Sequence, residues 1–114
     1  MAGSPSQGEI WFVSLDPTVG HEQAGQRPAL VVSVDQFNQG PAGLLIVLPI
    51  TSKGKGISLH VGLDPPEGGV TIRSFVMPES IRSVSTSRLV RKLGSISAER
   101  LNEVQERMRV LLDL

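Results

Sequence analysis

A small, strongly bent antiparallel sheet or open barrel, closed by one C-terminal helix, is the fold this sequence predicts. Three observations predict it. Short runs of Val, Leu and Ile recur along the chain, bounded by Gly, Pro, Asn and Asp clusters. In one stretch Ile57, Leu59, Val61 and Leu63 alternate with Ser58, His60 and Gly62, the two-residue period of a half-buried strand. Only after Ser97 does the apolar period change to that of a helix. The length, 114 residues, suits one domain and is too short for two ordinary ones.

Residues 1–7 are small and polar, with no basic start and no apolar stretch, so they are expected to form a disordered tail before a single domain over 8–114. Ile10 to Leu15 reads as the first strand, favoured by Trp11 and the β-branched Val13. Asp16-Pro17-Thr18-Val19-Gly20 is turn chemistry. Pro28 opens a second strand, where its missing N–H is tolerated, and Leu30 to Val34 continues it. Asn38 to Gly43 breaks the chain. Leu44 to Ile50 is nearly all apolar, as expected of a strand buried on both faces. Thr51 and Ser52 end it, and Lys53-Gly54-Lys55-Gly56 follows as a flexible basic loop.

The alternating stretch 57–63 is the next strand, with His60 on its solvent row. Asp64 to Gly69 forms a turn, Val70 to Met77 a strand, and Leu89 to Leu93 a short final strand. Ser80 to Ser87 connects these two, with room for a helical turn. Ser97 then serves as helix N-cap and Glu99 complements the dipole in the first turn. Ile96 and Leu101 have the spacing of a hydrophobic staple. Leu101, Val104, Met108, Leu111 and Leu112 make one apolar stripe, in which Met108 is a packing residue. The total is five to seven strands and one helix, with no internal repeat.

Composition removes several classes of function. With no Cys, disulfides, thiolate metal sites and thiol catalysis are excluded. Two His, His21 and His60, are a poor basis for zinc. No run approaches the roughly 20 apolar residues of a membrane span, so no membrane association and a cytoplasmic location are expected. A formal net charge of zero argues against nucleic-acid binding through a whole-protein field, though not through a local patch. Between Arg73 and Lys92 the chain carries Arg73, Arg82, Arg88, Arg91 and Lys92 against Glu79 alone.

The densest chemistry lies between the first two strands, where His21, Glu22, Gln23 and Arg27 fall within seven residues. A polar loop feeding an apolar strand is a common place for function. Arg27 keeps its charge and offers a planar fork suited to phosphate; pairing with Glu22 is the alternative use. Thr51, at the end of a buried strand, can hold a phosphate oxygen or orient a ribose hydroxyl, and Ser52 can assist. His21 can accept or donate a proton near neutrality. Gln23 can hydrogen-bond an exposed base edge.

Several segments, in order, resemble the MazF/PemK/Kid toxins of bacterial type II toxin–antitoxin pairs. They are Gly8-Glu9-Ile10-Trp11, Leu15-Asp16-Pro17, Gly20-His21-Glu22-Gln23, Arg27-Pro28, Pro49-Ile50-Thr51-Ser52, Ile81-Arg82 and Arg88-Leu89. The resemblance runs from Gly8 to Leu114, and its Gly-His-Glu-Gln loop is most similar to the PemK/Kid and ChpB branch. It implies an SH3-like barrel with a C-terminal helix, a homodimer, and sequence-selective cleavage of single-stranded RNA without metal or other cofactor. It also implies a cognate antitoxin whose disordered acidic tail covers the RNA groove. Arg27, Thr51, His21 and Glu22 are then the expected catalytic residues. Gln23, Gly25, Ser52, Lys53, Arg73, Glu79 and Ser80 are the expected RNA-binding positions.

Cutting RNA without metal sets three tasks: a base for the 2′-hydroxyl, positive charge on the phosphorane, and an acid for the leaving 5′-oxygen. Products carry a 2′,3′-cyclic phosphate and a 5′-hydroxyl. The base is either His21 or Glu22. The PemK/Kid site also uses an Arg and an Asp one residue apart; aligned through Ile81-Arg82, these places hold Met77 and Glu79. The transition-state charge therefore falls to Arg27, or to Arg73 reaching from the same strand face. Two rivals remain: a toxin that binds and poisons gyrase, like CcdB, and a barrel serving only protein interaction.

Overall fold

The computed structural model describes residues 4–15 and 25–114. Among the described residues there are seven strands: β1 (Glu9–Leu15), β2 (Gly25–Val31), β3 (Leu44–Thr51), β4 (Val61–Leu63), β5 (Ser74–Val76), β6 (Arg82–Ser85) and β7 (Leu89–Ser95). A one-turn helix, α1 (Asp35–Asn38), follows β2, and α2 (Ala98–Leu112) ends the chain. All pairings are antiparallel, in the order β4-β5-β3-β2-β1-β7, with β6 beside β3. The expected mainly β, SH3-like barrel with a C-terminal helix is thus the observed architecture.

The apolar run of β3 makes it the centre. Leu45 and Val47 point into one core with Val13, Ala29, Val31 and Val84. Leu48 and Ile50, of opposite parity, point into the other with Ile10, Leu30, Val61, Leu63, Val76 and Val104. Alternation within an uninterrupted apolar run is what burial on both faces demands. One edge of β3 is shared: Leu44 to Val47 pairs with β6, whereas Ile50 and Thr51 pair with β5. That split bends the sheet and brings the end of β3 under the β4–β5 hairpin.

Helix α2 covers the second core. Val104 is fully buried, and Leu101 and Met108 pack against the same cluster. Ser97 caps the helix as expected, its Oγ accepting the Arg100 N–H at 3.0 Å. Arg100 binds Glu103 at 2.7 Å and Glu67 at 3.2 Å, fastening the first helical turn to the turn after β4. Hydrogen bonding to Glu103, against the opposing effect of burial, holds the Arg100 guanidinium above its ordinary pKa. In β1, Glu9 accepts from the Ser6 N–H and the Trp11 indole N–H, and pairs with Lys92 at 3.0 Å.

Two glycines bring β7 and the Glu67–Gly69 turn into backbone contact. A Cβ on Gly94 would lie 2.8 Å from the Gly68 carbonyl carbon. Gly69 has φ +84°, and a Cβ there would lie 2.4 Å from the Leu93 carbonyl oxygen. Only residues without a side chain allow this approach, which closes one wall of the groove described below.

Four expectations need correction. The strand predicted over 57–63 shortens to β4, because a turn closed by His60 N–H to Ile57 O (3.0 Å) precedes it. His60 consequently folds inward, with its side chain 4% exposed, and is not solvent-facing. The strand predicted over 70–77 is only β5, and a strand, β6, lies within the predicted connector 80–87. Val84 is the one buried residue of β6, too little apolar signal to read from sequence. Pro5 and Gln7, before β1, make hydrogen bonds to the barrel. Asn38 Nδ2 donates to Pro5 O, the Gln7 N–H donates to Asp35, and Gln7 Nε2 donates to Val32 O. No helix among the described residues is long and apolar enough to cross a membrane.

Candidate functional site

An open groove of about 1190 Å³ crosses the barrel between the β1–β2–β7 face and the loops flanking β4 and β5. Arg27 lines it from β2, and Thr51 lines it from the end of β3. These two groups therefore share one cleft. Ser52, Lys53, Glu79 and Ser80 line it as well. Among the described residues lining it, Arg27, Lys53, Lys55 and Arg91 are cationic and Glu79 is the only carboxylate. A cleft with this excess of positive charge concentrates polyanions locally despite a neutral chain.

Arg27 makes no hydrogen bond or ion pair among the described residues, and it lines the groove. A half-buried arginine with no partner among the described residues fits a group whose acceptor arrives with a ligand. Thr51 is held from both sides. Its backbone sits opposite Phe75 in β5, and its Oγ1 accepts the Lys53 N–H at 3.1 Å. With that lone pair engaged, the hydroxyl proton is free to donate outward.

Glu79 sits on the short helical turn Pro78–Ser80, whose first residue is buried and fixes the turn against the barrel. His60 Nε2–H donates to Glu79 Oε2 at 2.6 Å. The imidazole is enclosed while the Glu79 side chain is 38% exposed, and both residues line the groove. His60 Nδ1 is buried with no hydrogen-bond partner among the described residues. Such a pair is a carboxylate oriented from behind by an imidazole. It has the supporting arrangement by which a proton-transfer group is usually positioned. Among the described residues, no group of three or more His, Cys, Asp or Glu could hold a metal ion.

Other expected positions fall elsewhere. Arg73 does not line the groove; its guanidinium pairs with Asp64 and lies 5.2 Å over the Phe75 ring. Met77, at the place where the resemblance expects an arginine, does line it. Gly25 begins β2 at φ +124° and is not part of the lining. His21, Glu22 and Gln23 lie outside the described residues. The sequence reading missed Phe12 and Arg91, which β1 and β7 bring together on the groove wall, and His60, whose alternation with apolar residues pointed the wrong way.

Comparison with known proteins identifies a family for the chain. The family described as "PemK-like, MazF-like toxin of type II toxin-antitoxin system" matches residues 6–112. The chain is 39% identical over 113 residues to the Mycobacterium tuberculosis protein named Endoribonuclease MazF9, covering 95% of this chain and 96% of that one. It is 38% identical over 112 residues to the Escherichia coli protein named Endoribonuclease PemK, covering 93% and 80%. Among solved structures, a MazE–MazF crystal structure from Deinococcus radiodurans superposes with a TM-score of 0.84 at 34% identity, over 99% of both chains.

Proposed function

This chain belongs to the PemK-like, MazF-like toxins of type II toxin–antitoxin systems, and from that premise we propose that it is an endoribonuclease cutting single-stranded RNA without a metal ion. The observation that carries the reading is Arg27, without a partner among the described residues, lining the same cationic groove as Thr51. RNA supplies its own nucleophile, the 2′-hydroxyl, which attacks the adjacent phosphorus as the bond to the 5′-oxygen breaks. One proton leaves the 2′-oxygen and another reaches the departing 5′-oxygen. The ends are a 2′,3′-cyclic phosphate and a 5′-hydroxyl. DNA lacks the nucleophile and stays intact.

Each residue has a task in this scheme. Arg27 binds the non-bridging oxygens and gains strength as charge builds on the phosphorane. Thr51 donates its hydroxyl proton to one of those oxygens. Glu79, backed by His60, carries a proton on the described side of the groove. His21 and Glu22 are the second set of candidates, on the loop before β2. Ser52, Lys53 and Ser80 contact the strand to either side, with Lys53 as a phosphate contact. Gln23 and Gly25 are candidates for reading the RNA. Arg73, committed to Asp64, is left a peripheral phosphate contact, so Arg27 supplies the transition-state charge.

Unpaired RNA is the substrate because its base edges and backbone are both accessible. The protein works in the cytoplasm as a homodimer, whose two-fold axis extends the groove. A cognate antitoxin silences it with an acidic, disordered tail laid over the same cations; the Deinococcus radiodurans relative forms a MazE–MazF complex. Poisoning of gyrase and a purely structural barrel are not favoured, because relatives covering nearly the whole chain carry the name endoribonuclease. The test is direct. Purified protein in EDTA should cut single-stranded RNA to cyclic-phosphate ends and leave the matching DNA whole; a requirement for added metal overturns the mechanism.

A further inference from the structure

Phe12 is half-buried and lies between two strand neighbours on one rung, opposite Pro28 of β2 and opposite Arg91 of β7. All three side chains line the groove that holds Arg27 and Thr51. The Arg91 guanidinium lies over the Phe12 ring, 4.6 Å from its centroid. This contact flattens and orients a side chain that is otherwise long and mobile. Arg91 has no carboxylate partner among the described residues, whereas its neighbour Lys92 is bound to Glu9. Arg27 stands one rung from Phe12, opposite Val13. The chain has only four aromatic residues, and of these Phe12 alone lines the groove.

From this arrangement we propose that Arg91, spread on Phe12, is the base-stacking platform of the groove, holding a nucleobase that flanks the cleaved linkage. The inference rests on the groove being the RNA site. Guanidinium planes serve as stacking surfaces for unpaired bases as aromatic rings do. The lower face of this one is covered by Phe12, so a base takes the exposed face, while the N–H edge remains free for a phosphate or a base carbonyl. The surface tolerates any base, since each presents a π-face. It therefore fixes the position of the strand and leaves sequence choice to hydrogen-bonding groups.

The test is a cycle between one side chain and one base. An oligoribonucleotide is selected for binding to the wild-type protein and fully 2′-O-methylated, so that cleavage plays no part. Abasic sites are walked along it, and each affinity is measured for wild type and for Arg91→Lys, which keeps the charge and loses the plane. One position should cost the wild-type protein on the order of tenfold in affinity when its base is removed. Arg91→Lys should bind the intact oligonucleotide on the order of tenfold more weakly and lose little further at that position. Phe12→Leu should behave similarly, and its melting temperature separates lost stacking from lost fold. An abasic penalty that is unchanged in Arg91→Lys at every position overturns the platform. Failure of the nuclease reading has a different signature: binding and coupling persist, and unmodified RNA is not cut.

Discussion

Replacing Arg27 with Ala separates catalysis from folding with unusual clarity. The guanidinium has no hydrogen bond or ion pair among the described residues, so its removal orphans no described carboxylate. The cost to stability is the lost packing of a half-buried stem, about 1 kcal/mol or less. For a domain of this size that is a fall in Tm of about 4 °C. A protein with an ordinary stability of about 5–15 kcal/mol remains folded after such a loss. The effect on the reaction should be far larger. Removing one preorganised donor from a developing oxyanion typically costs about 10²–10³ in kcat, and Arg27 offers two through its fork. Single-turnover cleavage of a labelled RNA in EDTA, beside a melting curve, measures both quantities. Arg27→Lys should fall between wild type and Arg27→Ala, because a point charge replaces a planar fork. Cleavage by Arg27→Ala within a factor of two of wild type, with the fold intact, would falsify the assignment.

Thr51→Val keeps the strand residue's shape and removes the hydroxyl, leaving the Lys53 N–H without its acceptor. Cleavage should fall about tenfold or more while Thr51→Ser retains most activity, and equal rates for the two variants would count against the hydroxyl's role. Glu79→Gln should lower kcat by about 10²-fold and remove one limb of the pH–rate profile. His60→Gln, acting only through Glu79, should move that limb and cost less; an unmoved profile in both variants would show the pair to be structural. For Glu9, burial raises the pKa, but the Ser6 and Trp11 donors and Lys92 outweigh it, and the net shift is downward from 4.5. A folded value below the unfolded one means the carboxylate's contribution is complete above about 4.5 and is lost as pH falls through the folded value. Glu9→Gln should therefore flatten Tm against pH in that acid range, and a wild-type slope persisting in Glu9→Gln would remove Glu9 as its cause.

Much of the barrel is legible one residue at a time. Leu44 to Ile50 announces a strand buried on both sides, because no polar residue interrupts it. Ser97, Ile96 and the stripe through Val104 and Met108 announce α2, because caps and helical periodicity are local. Strand β6 is hidden, since a strand with only Val84 buried carries almost no pattern and owes its form to its pairing with β3. His60 misleads for a related reason. Alternation gives the parity of a side chain only if the strand is already running, and here a turn precedes Val61 and reverses the direction of the ring.

The site divides along the same line. Arg27, Thr51, Ser52 and Lys53 could be named from type and order along the chain, and each lines the groove. Their convergence, the backing of Glu79 by His60, and the seating of Arg91 on Phe12 join residues up to 79 positions apart, counted from Arg91 less Phe12. Periodicity and composition act over a few residues, and so they fix strands, caps and the chemical inventory. Which groups face each other is decided by strand order and register, as is the commitment of Arg73 to Asp64 rather than to the groove. Those are set by the packing of two cores on either side of β3, an interaction between distant segments that no local pattern encodes.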